Sequence, residues 1–518
     1  MFQMTGEYFH NRAAFASRKI SSLLIAVKSL WLTNPARRTV LLLFIFVPIF
    51  LTFAAVLPVN VVGPFDARTY EPVNDVQVSY SSAGAAVEPV TALAQTIAGA
   101  PDIGAAAVSI SIWIIAIAAC VTTVRRLHRN HWRPDFHAVA AGLKTAVITL
   151  FMLTVYTVFS LLVHIPNWRL TTQDSDIVVT ELHTHTLGSH DGLISAKDNL
   201  RWQAQRGCSV VGVVEHCSPR GSLYAAAVAE SDPLLPAVIP AVEVGTDGFG
   251  YITAYAIRGP MAKCIALNQW DSFIPRFHQS CQGVVLSMIM PRPDQERLKR
   301  LADLGIDGFE IANQGHPGSK TIRTAALSAA QDHHLPLVAA TDWHGFGGIL
   351  RAWTLFRVPR ARSLSRAERA AAVLDALRRH DLADITPIVI GHIGEMSTAE
   401  KAFAPFIEVL RYALGLSPLR ILAWWVWDIA LFLIASALLY LGIHPSRMIS
   451  AVALVSMGVA ILVEALRLIL AYLCGWSMYV FPLKIGIETL MVGAAAVICG
   501  VGIGWYSFAS RQHRMTQT

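Results

Sequence analysis

Charge is the scarcest property of this chain. Only 15% of its 518 residues are Asp, Glu, Lys or Arg, where soluble domains carry about 25%. With 54% hydrophobic residues and a mean hydropathy of +0.48, this excludes an ordinary soluble enzyme. It calls instead for membrane segments with soluble material between them. A basic face is missing too: the formal charge is +7, but much of the Lys/Arg excess flanks apolar runs. That is the pattern of topology signals, so no nucleic-acid partner is expected. Cysteine is sparse, with seven in all. Cys120, Cys474 and Cys499 lie in or beside apolar runs and read as packing residues. Spacing assigns no pairing to Cys208, Cys217, Cys264 and Cys281. Cys208 and Cys217 bracket an extended run too long for them to bridge, and both are expected to be free, buried thiols. No clear internal repeat or broken apolar segment supports a transporter.

What the chain has in quantity is long uncharged runs. The first, Thr39–Phe65, is long enough to span a hydrocarbon core and starts too late for a cleavable signal peptide. Pro48 inside it predicts a kink. Further runs follow at 103–124, 145–168, 421–443, 448–474 and 485–509. Residues 1–38 are basic, 66–102 carry five acids against Arg68 alone, and 125–133 are basic again. That alternation predicts a multi-pass protein of the inner (plasma) membrane, with the N-terminus, 125–137 and the 511–518 tail cytoplasmic. It predicts an outer loop at 66–102 and an extracytoplasmic region from about 170 to 415. Residues 396–420 read as an amphipathic connector lying against the lipid bilayer or docking the soluble region on it. Glu464/Arg467 and Lys484/Glu488 fall in or beside the late runs at spacings that allow pairing on their own helices, and Asp428 is a further intramembrane charge.

The soluble insert, 172–395, alternates strand and helix patterns. Strands are expected at 176–183, 209–215, 237–244, 251–257, 283–289, 308–312, 336–341 and 353–358, with helices such as 296–304 and 321–334 between them. This predicts an α/β domain on a largely parallel sheet, curled into a distorted β/α barrel, between two three-helix transmembrane regions. In such folds ligands sit at the carboxyl ends of the strands.

Those strand ends hold the chemistry. The first strand ends in His183 and His185, which share a strand face at i and i+2, followed in a Gly/Ser-rich loop by His190 and Asp191. The next ends in Glu215-His216, another delivers Glu243, another carries Glu310 and is followed by His316, and the last ends in Asp342-Trp-His344. Eleven of the eighteen histidines lie in this insert. Packing does not explain imidazoles and carboxylates recurring at one end of a barrel. A site for divalent zinc, manganese or iron does.

The ordered set His183-x-His185, Ser189-His-Asp-Gly192, Glu215-His216, Glu243 and Asp342-x-His344 resembles the polymerase-and-histidinol-phosphatase (PHP) family over roughly 176–380. The resemblance implies a metal-dependent hydrolase of phosphomonoesters or phosphodiesters. In it, His183, His185, Glu243 and Asp342 build one metal site, and His216 and His344 with Asp191 or His190 build another, with Glu243 bridging. One departure stands out: Met290-Pro291 replaces the family's His-Pro pair. The third position is then left to Glu243 and His316, so two metals are expected. Arg220, Arg292 and Lys320 are candidate contacts for the phosphoester substrate, whose lipid-linked or envelope origin follows from location alone. Two other classes stay open: a degenerate barrel acting as a metal- or ligand-binding sensor, which Met290 favours, and a transporter with a regulatory soluble domain, which the intramembrane charges favour.

Overall fold

The structure, a computed structural model, describes residues 29, 31–33, 35–59, 61–133, 135–165, 168–246, 250–257, 270–281, 283–288, 295–316 and 318–515. The chain forms two compact units, one of Val59–Gly415 with Met457–Ala495, the other of Met1–Pro58, Leu416–Ser456 and Ala496–Thr518. Cys264, Met290, Pro291 and Arg292, and most of the basic N-terminal segment, lie outside the described residues.

The larger unit is built on a curled sheet of ten strands in the order β1-β12-β11-β4-β5-β6-β7-β8-β9-β10. The strands are β1 (Phe65–Asp66), β4 (Ile177–Thr184), β5 (Val210–His216), β6 (Ala237–Thr246), β7 (Gly250–Tyr255), β8 (Val284–Met288), β9 (Gly308–Asn313), β10 (Leu337–Ala340), β11 (Ala352–Arg357) and β12 (Ile385–Val389). Two more, β2 (Gln77–Tyr80) and β3 (Trp168–Thr171), pair antiparallel beside it. Val- and Ile-rich runs such as Val210–Val214 are buried throughout, as befits strands covered on both faces. Serine caps start the intervening helices: Ser195 Oγ accepts from Asp198 N, and Ser365 forms a reciprocal capping box with Glu368.

The eight expected strands are all present, but the sheet is mixed rather than largely parallel. β4-β5, β5-β6, β8-β9 and β9-β10 run parallel, whereas β6-β7, β7-β8, β4-β11, β11-β12 and β1-β12 run antiparallel. Hydrophobic pattern identifies a strand without giving its direction. The expected outer loop 66–102 is also structured. It begins with the end of β1 and holds β2 and the helices Ser82–Ala86 and Glu88–Gly99. Buried Arg351 ties this segment down by donating to the carbonyls of Gly99 at 3.0 Å and Ala100 at 2.8 Å.

The curl brings the end of the sheet back to β4. Thr354 Oγ1 donates to the Ala339 carbonyl at 2.8 Å and accepts from Ala339 N at 2.9 Å, which stitches β11 to β10. Beyond β10, Asp342 N donates to the His183 carbonyl at 2.9 Å and His185 N to the Trp343 carbonyl at 2.8 Å. Segment 341–344 therefore runs alongside 183–185, and four site residues become neighbours through backbone hydrogen bonds.

Among the described residues, six helices are long and apolar enough to cross a membrane: Arg37–Ala55, Ile103–Arg129, Phe136–Leu162, Pro418–Tyr440, Pro445–Leu473 and Phe481–Ser510. Pro48 sits inside the first. In the larger unit, Gly142 lets helix Phe136–Leu162 approach Ile103–Arg129 closely, since a Cβ there would meet the Thr123 side chain. The amphipathic connector is the helix Thr398–Leu414. It docks on Trp113, whose Nε1 donates to the Ala402 carbonyl at 2.8 Å and whose ring meets Phe406 edge-on at 5.2 Å. In the smaller unit, Trp31 stacks on Phe432 at 5.3 Å and Trp425 Nε1 donates to Thr52 Oγ1 at 3.1 Å.

Candidate metal centre

The donors converge at the carboxyl ends of the strands. β4 and its following loop supply His183, His185, His190 and Asp191, β5 supplies His216, β6 supplies Glu243, and the segment after β10 supplies Asp342 and His344. Asp342 takes a left-handed backbone at φ 53°, a conformation that Asp tolerates better than most residues and that turns the chain straight after β10.

Glu243 Oε2 is the hub. It lies 3.3 Å from His183 Nε2, from His185 Nε2 and from His216 Nδ1. Asp342 Oδ1 adds a second carboxylate, 3.0 Å from His185 Nε2 and 3.4 Å from His183 Nε2. The group His183, His185, Glu243 and Asp342 is buried throughout. A second focus lies beside it, where His216 Nε2 and His344 Nε2 are 3.3 Å apart, with Asp191 oxygens 3.4 Å and 3.3 Å from them. The largely exposed His190 completes a third group with Asp191 and His216.

The donor set fits divalent metal ions. His183 Nε2 and His185 Nε2 face each other at 3.1 Å, and two imidazole nitrogens at that distance need a cation or a proton between them. Asp191 Oδ1 is buried and accepts no well-formed hydrogen bond, with His216 Nε2 3.4 Å away. Imidazole with carboxylate suits zinc, manganese or iron.

An outer ring fixes how these rings present themselves. Ser189 Oγ donates to Glu215 Oε2 at 2.6 Å, so its lone pairs are left to accept from His185 Nδ1 at 3.0 Å and from His216 N at 3.0 Å. That assigns the proton of His185 to Nδ1 and turns the Nε2 lone pair inward. Glu310 Oε2 does the same for His183, 3.0 Å from its Nδ1, while Asn313 Nδ2 holds the other Glu310 oxygen at 2.7 Å. Glu181, fully buried, accepts from His183 N and Thr341 N, each at 3.1 Å, and bonds Arg206 at 3.1 Å, bracing the two chain segments together.

Electrostatics agree with this geometry. Burial works against a charged His183, yet Glu310, Asp342 and Glu243 together raise its pKa well above the ordinary imidazole value. Burial likewise opposes ionised Asp342 and Glu243, and the surrounding imidazoles overcome it and lower both. Glu215 behaves oppositely: burial dominates and raises it.

The structure brings His183, His185, His190, Asp191, His216, Glu243, Asp342 and His344 into the three donor groups. It places Glu215 elsewhere, turned into the 186–189 loop toward Thr186 and Ser189, because a Gly188 and Gly221 cradle opens on that side. His316 also stays outside the groups: its Nε2 is 3.6 Å from Asp342 Oδ2 and its side chain is half exposed. Cys208 is a free, buried thiol, whereas Cys217 is exposed, contrary to expectation, because a left-handed turn at φ 55° follows β5 there. Lys320 is exposed at the start of helix Lys320–His333. From sequence, Glu310 is recognisable at a strand end and Ser189 within a motif, neither with an individual role, and Asn313 is not singled out. Their only signal is position, in the loop after β4 and along β9.

No protein-family model matches the chain, and no curated protein does. Similar solved structures include one named a metal-dependent phosphoesterase from Bifidobacterium adolescentis ATCC 15703, 16% identical over 33% of this chain and 89% of that one, TM-score 0.26. An amidohydrolase from Chromobacterium violaceum with bound sulfate and no metal is 16% identical over 32% of this chain and 87% of its own, TM-score 0.26. PsfC from Pseudomonas syringae PB-5123 is 13% identical over 45% and 96%, TM-score 0.28. At these TM-scores the likeness carries no functional argument, which rests instead on the donor cluster.

Proposed function

We propose that this chain is a membrane-anchored, metal-dependent phosphoesterase of the PHP type, holding two divalent ions and acting outside the cytoplasm. One observation carries the reading: a single buried oxygen, Glu243 Oε2, lies 3.3 Å from imidazoles delivered by two different strand ends, with Asp342 on the same focus. His183, His185, Glu243 and Asp342 would hold one ion, and His216, His344 and Asp191 the other. Divalent ions held there supply a lowered water pKa and neutralise charge on phosphoryl oxygens.

The chain's own residues do the rest. Ser189 and Glu310 engage Nδ1 of His185 and His183, which leaves each Nε2 as the ring atom that would face a metal ion. Three carboxylates, Asp191, Glu243 and Asp342, stand in the donor groups, so two divalent ions would more than offset the charge of the donors themselves, which suits an anionic ester. In the overall reaction the water oxygen bonds to phosphorus, the ester P–O bond breaks, and the water's proton ends on the departing alcohol.

The test uses the full chain, because β1 and helix Glu88–Gly99 belong to the unit that carries the site. Loaded with manganese or zinc, the purified protein is expected to hydrolyse p-nitrophenyl phosphate or its diester. His183→Ala and Asp342→Ala should abolish hydrolysis and sharply lower bound metal. Wild-type protein that retains no metal after loading overturns the proposal.

A further inference from the structure

The hairpin between the last two apolar helices reaches the donor cluster. Gly475, at φ 71°, ends helix Pro445–Leu473 in the left-handed conformation that favours glycine. Ser477 is buried, and its Oγ accepts from Tyr479 N at 3.2 Å, fixing the turn that presents Tyr479. The Tyr479 ring then meets His190 edge-on at 6.3 Å, and His190 lies 4.6 Å from His216, ring to ring.

Two further contacts join the hairpin to the site. Arg467, paired with Glu464 at 2.6 Å, donates to the Leu193 carbonyl at 3.1 Å, and Leu193 N in turn donates to the His344 carbonyl at 2.8 Å. Arg220, the basic residue that opens the helix after β5, lies 3.8 Å from Met478 Sδ. A residue in a membrane-length helix thus clamps the loop that carries His190 and Asp191.

The same turn is apolar and open. Leu473, Trp476, Met478 and Val480 are each 60–67% exposed. A loop joining two helices of membrane-crossing length emerges at the hydrocarbon boundary, where Trp and Tyr belong. Tyr479 thus stands beside the His190 end of the donor cluster, and the exposed side chains around it form an apolar wall next to that end. A water-soluble ester gains nothing from that wall. A lipid-anchored ester keeps its chain against apolar surface there instead of exposing it to water.

We propose that the Leu473–Phe481 turn is the entry wall of the metal centre, and that the substrate is an amphiphile whose phosphoester headgroup is drawn from the membrane. This rests on the phosphoesterase reading above. Tyr479 and Trp476 act as specificity residues for the apolar part of the substrate alone.

The experiment compares soluble p-nitrophenyl phosphate with vesicles carrying phosphatidic acid or phosphatidylglycerol, using full-length protein in nanodiscs. Tyr479→Ala and Trp476→Ser are expected to lower kcat/KM on the lipid by about tenfold, chiefly through KM. They should leave the soluble ester and the bound metal within about twofold, and Tyr479→Phe should retain wild-type behaviour. A long-chain alkyl phosphonate bearing a diazirine should crosslink within 473–480 in wild type and in His183→Ala. Hydrolysis of the soluble ester without lipid turnover or crosslinking overturns the entry wall and leaves the phosphoesterase standing. Equal losses on both substrates overturn it too. No hydrolysis of either by metal-loaded protein overturns the phosphoesterase reading itself.

Discussion

Glu310→Gln removes one negative charge and almost no volume, and its effect can be worked out atom by atom. Asn313 Nδ2 donates to Glu310 Oε1 at 2.7 Å, while Oε2 faces His183 Nδ1 at 3.0 Å. In the glutamine variant the Asn313 amide holds the new carbonyl oxygen, which leaves the glutamine NH₂ facing His183 Nδ1. A donor there requires His183 to accept at Nδ1 and to carry its proton on Nε2. That proton points at Glu243 and Asp342, into the place of the metal. Loss of an outer partner of this kind weakens metal binding by roughly 10–100-fold, or about 1.4–2.7 kcal/mol. The assay is equilibrium dialysis of the full-length variant in detergent against buffered free zinc or manganese, followed by elemental analysis. An unchanged circular dichroism spectrum verifies the fold. A metal affinity within about twofold of wild type would refute the tautomer argument and with it the role given to Glu310.

Thr354→Val keeps shape but removes both bonds that stitch β11 to β10, leaving Ala339 N and its carbonyl buried without these partners. The expected destabilisation is about 2–6 kcal/mol, from two unsatisfied groups at roughly 1–3 kcal/mol each. It should appear as a lowered Tm in detergent, and an unchanged Tm would mean the sheet does not depend on this closure. Reporter fusions test the topology: a fusion at residue 130 should report a cytoplasmic position and one at residue 400 an extracytoplasmic one. Cytoplasmic signal at 400 would move the metal-donor cluster to the other side of the membrane.

Part of the site is legible in the sequence because strand periodicity and chemistry coincide. His183 and His185 at i and i+2, Glu243 at the end of an apolar run, and Asp342-x-His344 after another each combine a fold signal with a ligand type. Glu215 shows where that logic fails. It has the right chemistry at a strand end, but the Gly188 and Gly221 cradle turns its carboxylate toward Thr186 and Ser189. Ser189, Glu310 and Asn313 escape such a reading because an outer hydrogen-bond partner is defined by the residue it meets, and that residue is distant in sequence. β1 escapes for a similar reason: two residues, Phe65 and Asp66, carry no period, and only pairing with Val389 and Ile388 makes them a strand.

By itself the sequence determined which segments are apolar enough to cross a membrane, which runs are strands, and which imidazoles and carboxylates stand at strand ends. Those are local properties, set by composition and by spacings of a few residues. Tertiary structure decided the directions of the strands, the partners that set each imidazole's tautomer, and the arrival of Tyr479 beside His190. These contacts join residues up to hundreds of positions apart, and only the folded path of the backbone specifies them.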